Sequence, residues 1–149
     1  MGLMDEIIKL LDESLNYVSH EVTDDYMLIM VSSNLEELVC PYCGTPSSKV
    51  HSLYQRRFQD LPIQGKKVMI VIENRKMFCK NPECVHKTFA EGFIFLPKNA
   101  KRTKRLEDEI LRVCLNCSSV AASQLLSNGT ADIGKSAICR LLKKRSSGN

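Results

Sequence analysis

The chain has 149 residues, of which 44% are hydrophobic and 26% charged, with no Trp. This is the composition of a soluble globular protein whose core is built mainly of Leu, Ile, Val and Met, and the length suits one domain or two small modules in series. No stretch approaches the ~18 consecutive apolar residues of a membrane span, and Met1 to Leu15 carries acids where a targeting segment would carry bases, so a cytoplasmic protein without membrane association is expected.

The formal net charge of +4 conceals an asymmetry: residues 1–39 sum to −8, residues 40–97 to +5 and residues 98–149 to +7. The sign changes at the first CxxC, which points to a polyanion-binding part starting near Cys40 behind an acidic segment. Seven cysteines without a secretion signal do not read as a disulfide framework, so metal ligation or burial must account for them.

In chain order, Leu3, Ile7, Leu10, Leu11 and Leu15 recur at steps of three and four, which predicts an amphipathic helix over 3–15. Tyr26 to Val31, bounded by Asp24-Asp25 and Ser32-Ser33-Asn34, reads as a short strand. Lys49 to Phe58 and Lys67 to Phe78 are expected to form an antiparallel pair with its bend at Pro62 and Gly65. The second of these carries Val68, Ile70 and Ile72 on one face and Met69 and Val71 on the other, so both faces should be covered, one of them by the first helix. Residues 92–103, with Pro97 and a basic cluster of Lys98, Lys101, Arg102, Lys104 and Arg105 running past their end, read as a basic linker. Beyond it three helices are expected: from about Thr103 to Cys117, from Ser118 or Ser119 through Leu126, and from Gly134 to Lys144.

Cys40-Pro41-Tyr42-Cys43-Gly44 is a turn in which two thiolates can converge on one ion, and Cys79-Lys80-Asn81-Pro82-Glu83-Cys84 supplies the other half at the far end of the proposed hairpin. Four thiolates in a tetrahedron make a structural zinc site with no open position for catalysis, the arrangement of a zinc ribbon. His86 just beyond Cys84, and more remotely His51, remain alternative ligands. Cys114 and Cys117 form a second CxxC, but both fall on the apolar stripe of a helix, where burial explains them better than metal or redox chemistry. In the last helix Ala137, Ile138, Leu141 and Leu142 cluster on one side, leaving Lys135, Ser136, Cys139, Arg140 and Lys143 on the other. A packed back and a basic front suit a DNA groove, and with the two preceding helices the pattern suggests a helix-turn-helix. The basic cluster of the linker suits phosphate contact, and Arg56, Arg57, Arg75 and Lys76 add to the positive charge of the ribbon.

The ordered string CPYCG, His51, Arg56, Asp60-Leu61-Pro62, Gly65, Arg75, Phe78-Cys79, Cys84 and Phe89-Ala90-Glu91 resembles the amino-terminal zinc finger of bacterial insertion-sequence transposases of the ISL-three group, followed by that family's helix-turn-helix. The resemblance spans roughly residues 38–145, and departs from the family at Gly92, where a basic residue is common. It implies zinc at Cys40, Cys43, Cys79 and Cys84, and double-stranded DNA, the inverted-repeat ends of an element, as partner. The resemblance assigns DNA contact to the helix around Lys135 to Lys144; together with the basic cluster this makes Lys101, Arg102, Lys104, Arg105, Lys135, Ser136, Arg140, Lys143 and Lys144 the candidate DNA-binding residues.

The expected fold class is thus α+β: an acidic helix and strand over 1–39, a zinc-ribbon domain over 40–91, the basic linker over 92–103 and a three-helix helix-turn-helix module over 104–145. The family's metal-dependent DDE catalytic domain is not expected here, because Glu107, Asp108, Glu109 and Asp132 make no two-metal constellation. The chain therefore reads as the DNA-binding portion of a transposase, truncated or a fragment, with homo-oligomerisation open and no small-molecule substrate. The alternative is a free-standing zinc-ribbon regulator or protein-interaction adaptor with the acidic start as partner surface; a thiol redox enzyme using Cys114 and Cys117 is a remote third.

Overall fold

The computed structural model describes residues 2–147. Helix α1 (Leu3–Leu11) carries Asp5 and Glu6 in its first turn and Lys9 in its last, in keeping with the helix dipole. It stops four residues short of the expected end because Asp12 accepts hydrogen bonds from the backbone N–H and hydroxyl of Ser14 at 2.7 and 2.6 Å, a local turn that competes with the helical ladder. Leu15 is fully buried, as its spacing required, but as the first residue of a strand.

That strand, β1 (Leu15–Val22), forms a hairpin with β2 (Tyr26–Ser33), closed by reciprocal bonds between Thr23 and Tyr26. Two long strands follow the ribbon's first half, β5 (Val50–Ile63) and β6 (Lys66–Phe78), which pair antiparallel over most of their length. Their connection is a two-residue turn, Gln64-Gly65, with both φ positive at 54° and 75°, the geometry that matches the twist of flanking strands. Pro62 lies inside β5 at an irregularity of register instead of in the turn, tolerated because β5 is an edge strand.

The sheet runs β1-β2-β6-β5, with β2 and β6 parallel, and the short β7 (Thr88–Ala90) extends it by pairing with the far end of β6. β3 (Leu38–Val39) and β4 (Pro46–Ser47) make a separate two-stranded unit around the first CxxC. One face of the sheet contributes Ile29, Val31, Phe58, Val68, Ile70 and Ile72 to a core closed by Ile8 of α1 and by Phe95 and Leu96.

Phe95 and Leu96 belong to the stretch expected to be a linker. Its backbone is also fastened: the Gln59 N–H donates to the Lys101 carbonyl and the Thr103 N–H to the Gln59 carbonyl, both at 2.9 Å, so residues 101–103 run parallel alongside β5. The chain then enters three helices, α2 (Lys104–Cys114), α3 (Ser119–Ser127) and α4 (Lys135–Ser147). Thr103 and Ser118 cap α2 and α3 through their hydroxyls. Leu106, Ile110, Ala122, Leu126, Ile138 and Leu141 form the core of this group, and Leu61 of β5 packs against it. Gly129, at φ 104°, lies so close to the hairpin tip that a Cβ there would meet the Gly65 carbonyl oxygen at 2.7 Å.

Candidate metal centre and basic surface

The first knuckle is built by the backbone of Cys40. Its carbonyl accepts from the Gly44 N–H at 2.8 Å and its N–H donates to the Thr45 carbonyl at 3.0 Å, folding the CxxC under itself. Gly44 supports this with φ 78°, a conformation that favours glycine. In the second knuckle Asn81 replaces the tight CxxC turn: its carbonyl accepts from Cys84 N–H at 3.1 Å and its side-chain oxygen from Glu83 N–H at 3.0 Å. β6 and β7 hold this knuckle from behind, with Cys79 N–H bonded to the Lys87 carbonyl at 2.9 Å.

The two knuckles bring the Sγ atoms of Cys40, Cys43, Cys79 and Cys84 within 4.8 Å of one another. Four sulfurs at ~2.3 Å from a tetrahedral zinc stand about 3.8 Å apart, so the cluster has the right span. Cys43 and Cys79 are 3.5 Å apart, far beyond the ~2.05 Å of a disulfide. The thiols experience opposed fields: the Thr45 hydroxyl and backbone hold Cys43 down to about 6. Cys79, despite the favourable Asn81 backbone, is pushed up to about 12 by loss of solvent and by its three sulfur neighbours. Cys84 is raised as well, against the His86 backbone contact. Four thiolates this close require a cation among them, and a divalent, thiophilic ion meets that need. The four cysteines fit structural zinc.

Neither histidine shares the cluster. His86 stacks on Tyr42 with ring centroids 3.5 Å apart, and His51 bonds the Ser52 hydroxyl at 2.9 Å and meets the edge of Phe78. Cys114 is buried in the helical core, which raises its pKa, and Cys117 donates to the Val113 carbonyl at 3.2 Å. Among the described residues the metal-competent group is the four ribbon cysteines.

The basic residues fall into two sets. On α4, Lys135, Ser136, Arg140, Lys143 and Lys144 are exposed, while Ile138 and Leu141 are buried behind them. In the segment leading into α2, Lys101 and Lys104 are exposed, but Arg102 is half-buried with its Nε 3.9 Å from Glu107. Arg105 is held by the fork of Asp60, with Nε 2.8 Å from Oδ1 and Nη2 on Oδ2, and the carboxylate raises its pKa. Asp60 also accepts the Thr103 hydroxyl at 2.8 Å, so Arg105 joins the helical group to β5. Sequence reasoning missed this role. The signal was an acid two positions from Phe58 on one strand face, which buries it and requires a cationic partner.

Among known protein families, residues 36–84 match the zinc-finger of transposase IS204/IS1001/IS1096/IS1165. Searches of curated proteins and of solved structures found no match. The matched segment contains both knuckles and all four ligands, so the similarity to that finger and the four-cysteine cluster fall on the same residues.

Proposed function

We propose that the protein is the DNA-binding portion of an insertion-sequence transposase and recognises the terminal inverted repeats of the element. The observation that carries this reading is the match of residues 36–84 to a transposase zinc finger. A basic helix downstream supports it. Zinc, when bound, supplies a four-point cross-link between the knuckles and takes no part in chemistry on DNA. The ribbon's role is to fix β5 and β6, against which the helical group rests through Leu61, Asp60 and Gln59.

In this reading α3 and α4 act as a helix-turn-helix, with Lys135, Ser136, Arg140, Lys143 and Lys144 of α4 facing the major groove. Lys101 and Lys104 add phosphate contacts, while Arg105 positions α2 instead of touching DNA. In this reading the chain's part is binding, and three of its four carboxyl-terminal acids are ion-pair partners: Glu107 with Arg102, Glu109 with Arg112 and Asp132 with Lys67.

A gel-shift titration with duplexes carrying the element's repeat ends tests the reading. Repeat ends should bind more tightly than scrambled duplex of equal length, and affinity should fall steeply with salt. K135E/R140E should weaken binding and flatten the salt slope by about 0.9 for each phosphate no longer neutralised. Equal affinity for repeat and scrambled duplex refutes recognition of the ends.

A further inference from the structure

A groove of about 720 Å³ lies between the first zinc knuckle, β5 and the segment 90–101. Arg56, Arg57, Lys98 and Lys101 line it, against one acid, Glu91, which is already neutralised by Arg75 through bonds of 3.0 and 2.8 Å. Arg56 donates to the carbonyls of Pro97 and Ala100 at 2.9 and 3.2 Å, and so fixes the spacing between the strand and the opposite wall. Arg57, Lys98 and Lys101 are exposed and form no ion pair among the described residues.

Two tyrosines line the same groove, Tyr42 at 51% and Tyr54 at 44% exposure. Both are held in place, Tyr42 by stacking on His86 and Tyr54 by accepting a hydrogen bond from Asn74 Nδ2 at 3.0 Å. Fixed half-exposed rings beside a row of cations are the two components with which proteins hold unpaired nucleic acid: the cations follow the backbone and the rings stack with bases. A stiff duplex meets a concavity only at its rim, whereas a single strand can enter it.

We infer that this groove binds an unpaired segment of DNA strand, separately from the duplex face on α4. The inference rests on the proposed DNA-binding role and adds to it a second site with a different ligand. The site would hold a strand that has left its duplex, with phosphates on Arg57 and Lys98 and bases against Tyr42 and Tyr54.

Fluorescence anisotropy on the zinc-loaded full chain tests this, with a labelled oligothymidylate of about 12 nucleotides as one probe and the repeat-end duplex as the other. The wild type should bind the oligothymidylate; R57E/K98E should weaken it at least about tenfold, and Tyr54→Leu at least about fivefold, in the range expected when one stacked ring is removed. K135E/R140E should show the reverse pattern, losing duplex and keeping the single strand. Zinc content and the melting curve establish that each variant is folded. Absence of oligothymidylate binding by the wild type, or equal binding by folded groove variants, overturns the groove inference. Loss of repeat-end preference, with the groove variants still defective on oligothymidylate, overturns the proposed function alone.

Discussion

Glu91 follows β7 with its side chain 1% exposed, and both carboxylate oxygens are taken by the Arg75 guanidinium. Arg75 also donates to the Ser33 hydroxyl at 3.0 Å, so a single side chain ties β2, β6 and the exit from β7 together. Removing one member of such a pair leaves the other charge buried without compensation. Arg75→Ala should therefore destabilise the fold by about 3–5 kcal/mol, while Arg75→Lys, which keeps the charge but loses the two-point fork, should cost less. Chemical denaturation of the zinc-loaded protein measures this, and a change within about 0.5 kcal/mol for Arg75→Ala, the range of ordinary surface substitutions, would count against it. Arg56 and Asp60 behave similarly: Arg56 bonds the segment 97–100 and Asp60 bonds Thr103 and Arg105. Four polar residues of the motif string thus hold segments together, which spacing alone did not reveal.

The ribbon is the element with the least apolar support. Its core consists of Leu38, Cys40, Met77, Cys84 and Phe89, with Cys79 packed against them, and three of these six are metal ligands. So small a core is normally insufficient without a cross-link. Chelation, or Cys84→Ser, should therefore melt the knuckles and β3-β4, whereas the sheet around Ile29, Phe58 and Ile70 belongs to a separate core and should persist. Hydrogen exchange should show protection lost over 38–47 and 79–90 first, with one zinc per native chain; a metal-free protein with an unchanged melting curve excludes a structural metal. The ribbon was legible in the sequence because ligand chemistry is local and paired cysteines can be seen directly. β6 was legible for a related reason, since its alternating apolar residues are buried on both faces. β1 was not, because it is a largely exposed edge strand whose apolar and polar residues do not alternate regularly, and neither was the parallel pairing of β2 with β6, which joins residues about forty positions apart. The segment 92–103 was misread for a third reason: its Pro, Lys and Arg content hides Phe95 and Leu96, which anchor it in the core.

At the scale of the whole molecule, the acidic first 39 residues are not an appendage to a basic binding unit. β2 lies between β1 and β6, pairing with β6 from Tyr26↔Lys67 to Val31↔Ile72, and α1 covers the sheet through Ile8. Removing residues 1–35 would expose the inner edge of β6 along Val68 to Ile72 and uncover Ile70, Ile72 and Phe58, which are 1% exposed in the intact chain. An unpaired strand edge flanked by that much apolar surface is an aggregation site. The acids of the first segment would also be lost, leaving a strongly basic remainder. A chain starting at residue 36 should therefore retain all four zinc ligands and yet aggregate, or bind a hydrophobic dye strongly, at concentrations where the full chain is monodisperse. Light scattering and dye fluorescence on the two proteins decide the matter. A soluble truncated chain with native-like melting would show that residues 36–84 fold without the strands they are built against, and would return the acidic segment to the role of a partner surface.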